Sequence, residues 1–479
     1  MKNQRTKTRI DRRSFLHSAA AATAGLAFSP MVFGETDLDR KPDDINVALL
    51  GAGSQGRVLM NACRRIPGIR FKAVCDIWTA YNQKRLSRML KAYKHEHNTY
   101  VDYKEMLDKE KDLDAVIIAT PDFWHTEHTE ACLEAGLHVY CETAMSNTIE
   151  GARKMVEAAR RTGKLLQIGC QRRSNPRYIH CYEKLLKNNK VLGRITAVSG
   201  QWNRIVRGPM GWPQRAALDQ PTLERYGYES MAQFRNWRWY RELGGGPVVD
   251  LGSHQIDVFN WFLGAKPNSV MASGRTSYLD KKTHQWYDTV MAVYEYETDQ
   301  GPVYAYYQIL SSNRNDGYVE KFMGDQGTLE VSEAAYRAMV FPELMKSNNM
   351  VWARCVKEGC LVGHDEMMKM IDKLTVEQVA RLFFVEESLQ LPIPQSHNVR
   401  NLNKGIIWPE NRRVLTLPVE MNKPYHQPHL ENFFDAIRGT AELNCPAEVG
   451  YETAVTVLKV NEAVKTERKL RFEPGEFVV

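Results

Sequence analysis

The chain has 479 residues, 43% of them hydrophobic and 25% charged. That composition excludes a disordered polymer, and the length exceeds one ordinary core, so at least two domains are expected. Of the net charge of +7, residues 1–34 supply +5 through six basic side chains (Lys2, Arg5, Lys7, Arg9, Arg12, Arg13) and one acid, Asp11, which leaves +2 for the rest and no basic face for nucleic acid.

Residues 1–34 run from a basic region through "DRRSFLH" into "SAAAATAGLAF". A twin arginine followed by Ser-Phe-Leu and a short apolar run is the pattern of a bacterial Tat export signal, so a periplasmic location is expected. The run is too short to span a bilayer comfortably, and no transmembrane domain is expected.

A strand, a glycine turn, a helix and a second strand follow in "INVALLGAGSQGRVLMNACRRIPGIRFKAVCDIW". Gly51, Gly53 and Gly56 let the turn tighten and the backbone approach a pyrophosphate at the helix N-terminus, where Ser54 and Gln55 also lie. Asp76, twenty residues after Gly56, ends the second strand; it can accept from both ribose hydroxyls and repels a 2′-phosphate, so the expected cofactor is NAD.

Further strands are expected over Ala115–Ala119, His138–Cys141 and Lys164–Cys170, with an amphipathic helix between the first two. Residues 44–171 therefore read as a Rossmann domain with a doubly wound parallel sheet, whose ligands gather at the carboxyl ends of the strands. Thr120, Pro121, Trp124, His125, Glu142 and Thr143 lie at such ends.

Residues 172–479 have another texture: "RITAVSGQW", "DTVMAVYEYE" and "GPVYAYYQIL" predict a large, mostly antiparallel open sheet in an α+β domain for substrate binding and oligomerisation. Within 331–420, "HDEMMKMIDKLTVEQVARLFF" reads as helical, and that region is a candidate cap for a cleft. "HLENFFDAIRG" and "GYETAVTVLKVNEAVKTE" are helical as well. The nine cysteines show no zinc spacing, so no metal is expected; Cys355 and Cys360 are the closest pair, and one disulfide is conceivable in an exported protein.

In "GGGPVVDLGSHQIDVFNWFLG", Asp250, His254 and Asp257 recur at spacings of four and three. On a helix they share one face, which lets a carboxylate orient an imidazole beside a pocket. Together "GAGSQG" with Asp76, "ATPDFWHTEHT", "CETAM", "GGGPVVDLGSH" and "HLENFFDAIRG" resemble the Gfo/Idh/MocA family of NAD(P)-dependent sugar and cyclitol oxidoreductases. The resemblance implies a Rossmann domain, an open-sheet domain with substrate held between the two, and a homo-oligomer. It also implies Glu-Lys-Pro at the end of the fifth strand, with the lysine working beside Asp250 and His254; here Glu142 matches and Thr143 replaces the lysine.

Oxidation of a secondary alcohol needs a hydride acceptor and a group that takes the hydroxyl proton. Threonine offers only a neutral hydrogen bond, so His254 is expected to act as base, with Asp250 as its orienter or a substrate ligand. His125, Tyr287, Asp288 and Lys321 are candidates for the lysine's space, and His128 is read as structural. Thr143, Arg172, Arg173, Asn175 and Tyr287 are expected to meet a sugar or glycoside. An exported enzyme of this family is expected to retain its cofactor, either coupling the oxidation of one sugar to a second reduction or cleaving a glycoside with no net redox change. A non-enzymatic carbohydrate-binding protein is the third reading.

Overall fold

The computed structural model describes residues 43–334, 337–343, 351–352, 354–355, 358–363 and 415–479. The export signal expected over 1–34 and the methionine-rich helix expected over 364–384 lie outside the described residues.

The first sheet is parallel, in the order β3-β2-β1-β4-β5-β6. Its strands are β1 (Ile45–Leu50), β2 (Ile69–Cys75), β3 (Asn98–Tyr100), β4 (Ala115–Ile118), β5 (His138–Cys141) and β6 (Leu166–Ile168). Both β1 and β4 are buried at every position, as strands covered on both faces require. Their carboxyl ends diverge where the strand order reverses, and this opens the crevice in which such sheets bind ligands.

Five helices run between these strands: α1 (Ser54–Cys63), α2 (Lys84–Ala92), α3 (Tyr103–Lys109), α4 (Asp122–Glu134) and α5 (Ile149–Thr162). The ends of α5 are written locally: Thr148 accepts from the Gly151 N–H, and Gly163 closes the helix at φ +66°. The strand expected over Lys164–Cys170 is shorter than the apolar run, because the Cys170 N–H turns back onto the Ile168 carbonyl at 2.7 Å.

After α6 (Pro176–His180), β7 (Ile195–Asn203) enters a ten-stranded sheet, followed by α7 (Gln220–Arg225), α8 (Met231–Arg235) and α9 (Pro247–Leu263). The next strands are β8 (Pro267–Arg275), β9 (Thr289–Thr298), β10 (Gly301–Leu310), β11 (Tyr318–Gly324), β12 (Gly327–Val331) and β13 (Met339–Pro342). The two-residue strands β14 (Val362–Gly363), β15 (Leu415–Thr416) and β16 (Leu470–Arg471) complete it. Only β7 and β10 run parallel; every other pair is antiparallel, so the sheet is mixed.

Alternation along β9 and β10 buries Val290, Ala292, Tyr294 and Tyr296 with Val303, Ala305, Tyr307 and Ile309. Two of these tyrosines satisfy their hydroxyls on α9, Tyr307 on Gln255 at 2.9 Å and Tyr296 on Asn260 at 2.9 Å. That fixes α9 against the covered sheet face. Helix α10 (Gln427–Ile437) returns to the first sheet, where Leu430, Phe433 and Phe434 join the core of β1, β2 and α1, and α11 (Ala447–Thr466) packs beside α9 through Thr456 and Asn260. No helix among the described residues is long and apolar enough to cross a membrane.

Candidate active site

The glycine turn has the shape a dinucleotide needs. Gly51 sits at φ +98°, and a Cβ there would lie 2.6 Å from the Ala119 backbone. At Gly53 the nearest atom to an added Cβ is 3.9 Å away, so the space before α1 is open. No side chain caps α1 and no acid stands in its first turn, which leaves its N–H groups free for a pyrophosphate. Asp76 ends β2 with Oδ2 accepting from Ala52 N and Oδ1 from Trp78 N, both at 2.7 Å. Burial raises this carboxyl's pKa, while the two N–H donors and the Asn82 amide, which donates to Oδ2 at 3.4 Å, oppose the rise; Oδ1 keeps a lone pair for a ribose hydroxyl. These residues fit NAD.

At the carboxyl end of β5, the α1 turn and α9 come together. Thr143 Oγ1 lies 3.3 Å from His254 Nε2, and the Thr143–Ala144 peptide is cis. Glu142, buried, accepts from Gln55 Nε2 at 3.0 Å, and the same amide stands 3.0 Å from His426 Nε2. Burial raises the Glu142 pKa.

His254 is neutral: burial, and then the Arg172 guanidinium, lower its pKa to about 4. Among the described residues its buried Nδ1 has no hydrogen-bond partner, and the Trp202 ring lies 5.9 Å away. The expectation that Asp250 orients this ring is corrected. Asp250 shares the face of α9, but its two oxygens accept from Arg238 Nε at 3.2 and 3.1 Å, because the loop before α9 brings that guanidinium to it. Asp257 binds Arg173 at 2.8 Å and Thr453 at 3.0 Å.

Other expected contacts are engaged in holding the fold. Arg172 is fully buried in ion pairs with Glu320 and Glu333, and Tyr178 donates to Glu320 at 2.7 Å; it reaches His254 only through its charge. Burial pulls the Glu333 carboxyl up, and Arg172, His254, His426 and the Gln171 amide together outweigh this to hold it below the usual carboxylate range. Arg173 is taken by Asp257, and Asn175 caps α6 by accepting from Arg177 N at 3.0 Å. His125 has both ring nitrogens against carbonyls, Ala144 at 2.8 Å and Thr120 at 2.9 Å, tying the ends of β4 and β5 together.

His128 takes Thr120 Oγ1 at 3.0 Å under the Trp124 ring, and Pro121 opens α4. Ser54 is exposed at the start of α1. Of the candidates for the lysine's space, Asp288 is spent on three N–H groups of residues 277–279, Lys321 pairs with Glu330 at 3.0 Å, and Tyr287 lies under Arg241. The residues that sequence reasoning missed are Glu333, Arg238 and His426. Only His426 had a local signal, in the two prolines of "KPYHQPHL" that flank a helix start.

Residues 45–170 match the model of an oxidoreductase family with an NAD-binding Rossmann fold, and residues 184–330 match the GFO/IDH/MocA C-terminal domain. The chain is similar to a glycosyl hydrolase family 109 protein of Shewanella baltica, 29% identical over 175 residues, covering 32% of this chain and 38% of that protein. It is similar over an equally long stretch to an alpha-N-acetylgalactosaminidase of Shewanella oneidensis, 27% identical, again 32% of this chain and 38% of that one. The matched stretches thus span well under half the length of these relatives. Among solved structures, the aldose-aldose oxidoreductase of Caulobacter crescentus superposes with a TM-score of 0.60 at 17% identity, covering 90% of this chain and 100% of that one.

Proposed function

The chain belongs to the Gfo/Idh/MocA family of NAD-binding oxidoreductases, and we propose that it is an exported member that oxidises a ring hydroxyl of a sugar, cyclitol or glycoside while retaining its cofactor. The observation that carries this reading is a neutral, half-buried His254 against Thr143, next to Glu142 and the α1 turn. Bound NAD would supply the hydride acceptor.

In this reading His254 Nε2 takes the hydroxyl proton, and its low pKa keeps the lone pair available at every pH above about 4. The Thr143 hydroxyl donates to the substrate oxygen or holds it toward Nε2. Asp250, fixed by Arg238, accepts from a neighbouring sugar hydroxyl. The twin-arginine pattern of residues 12–13 supports export, and a compartment without free NAD favours retention of the cofactor.

Redox-neutral glycoside cleavage is the second reading, favoured by the missing lysine and the family 109 relatives. There, oxidation of a ring hydroxyl acidifies the adjacent C–H, the glycosidic group is eliminated, water adds and the alcohol is restored. Denaturing the natively folded protein and weighing the released nucleotide tests both: about one NAD per chain supports them, and a chain that neither carries nor binds NAD removes them. Release of a leaving group from aryl glycosides without net NADH formation separates the second from the first. His254→Ala must abolish turnover with NAD still bound; unchanged turnover sinks the assignment.

A further inference from the structure

Arg204 follows β7 two residues after Trp202, the residue whose ring faces His254. Its backbone is fixed by the N–H bond to the Leu310 carbonyl at 2.8 Å, and its guanidinium lies 5.9 Å from the Trp239 ring. Nε is buried with no partner, and among the described residues no carboxylate is hydrogen-bonded to this group. Burial lowers its pKa, as expected for a desolvated cation without a matched anion.

The alternation of β7 continued to Arg204 puts it on the same face as Trp202, whose ring lies 5.9 Å from His254, and the charge of Asp250, one turn before His254 on α9, acts on it. Both Asp250 oxygens are already held by Arg238. Asp250 is thus committed to Arg238, and Arg204 is left as a cation with no carboxylate bonded to it among the described residues. A desolvated guanidinium is costly unless an anion pairs with it, and its planar fork matches a carboxylate.

We propose that the substrate carries a carboxylate and that Arg204 receives it, which makes the substrate an acidic sugar of the hexuronate class. This rests on the sugar-directed reading above and narrows it. A phosphate dianion fits less well, because Asp250 stands close enough to repel the second charge.

The test uses the full chain with NAD bound and titrates a panel of hexuronates, their parent hexoses and the matching hexose 6-phosphates, followed by calorimetry. At least one hexuronate is expected to bind about tenfold or more tightly than its hexose, as a charge-assisted pair implies. Arg204→Gln should bring the two to within about twofold with NAD binding and melting temperature kept, whereas Arg204→Lys, which keeps the charge without the fork, should retain part of the preference. Should the glutamine variant fail to fold, the lysine variant still decides: an undiminished preference there argues against the fork. The inference is overturned if hexose and hexuronate bind equally, if a hexose phosphate binds best, or if Arg204→Gln keeps the preference. Binding of no sugar by a chain that holds NAD removes the sugar reading and this inference with it, and failure to hold NAD removes the enzymatic reading separately.

Discussion

His254 Nε2 stands 3.3 Å from Thr143 Oγ1, while its Nδ1 is buried with no partner among the described residues, so Nε2 is the nitrogen that points at the strand end where the family motif places a lysine. Burial and the Arg172 charge hold its pKa at about 4, so it is a base across the whole neutral range. Turnover should be level from about pH 5 upward on the acid limb and fall only as pH approaches 4. His254→Ala is expected to lose about 10²–10⁴-fold in kcat. A steady-state pH profile checks this, and an acid limb near 6.5 contradicts a depressed histidine.

Arg172 is fully buried between Glu320 and Glu333, and its weight is therefore on stability. Removing one partner of a buried ion pair leaves an uncompensated charge, so Arg172→Met should destabilise the chain by on the order of 3–5 kcal/mol. Chemical denaturation gives the answer. A folded variant of unchanged stability with altered sugar affinity would return Arg172 to the substrate.

Much of this architecture was legible in the sequence, because its signals are local. The glycine spacing, Asp76 and the apolar runs of β1, β4 and β5 depend on neighbours a few residues away. The alternation of β9 and β10 marked the second sheet just as directly. The helical spacing of Asp250 and His254 correctly put them on one face, but the partner of Asp250 is decided by a loop, which periodicity does not describe. "QRRSNPR" looked like a cleft because its charges follow the last Rossmann strand. Its burial arises from Glu320 and Glu333, over 140 residues away, and no local pattern encodes that. His426 likewise arrives only because α10 folds back onto the first sheet.

Asp76 makes the cofactor choice testable. Its carboxylate is held at the end of β2 by the N–H groups of Ala52 and Trp78, where a ribose is expected and a 2′-phosphate is repelled. Asp76→Ala should weaken NAD by about tenfold and narrow the gap to NADP. Fluorescence titration with NADH and NADPH reads both. Equal affinity of the unaltered chain for the two nucleotides would mean that Asp76 does not face the ribose.

Asp122, the first residue of α4, is buried at 3% exposure, with Oδ2 accepting from Gly245 N at 3.1 Å and Oδ1 unpartnered among the described residues. Burial raises its pKa from 3.8 to about 7, against the pull of the Gly245 N–H, with Asp250 adding to the rise. A carboxyl raised in the folded state destabilises that state when it ionises. The cost is absent below the unfolded value, grows as pH climbs through the window between 3.8 and about 7, and is complete above it. Asp122→Asn removes this term while keeping an acceptor for Gly245. At about 1.4 kcal/mol per pKa unit, the stability of the variant relative to the unaltered chain should improve by on the order of 4 kcal/mol between pH 4 and pH 8. Urea midpoints at the two pH values measure the difference directly. A gap that stays constant with pH would show that Asp122 ionises in the folded protein as easily as in water.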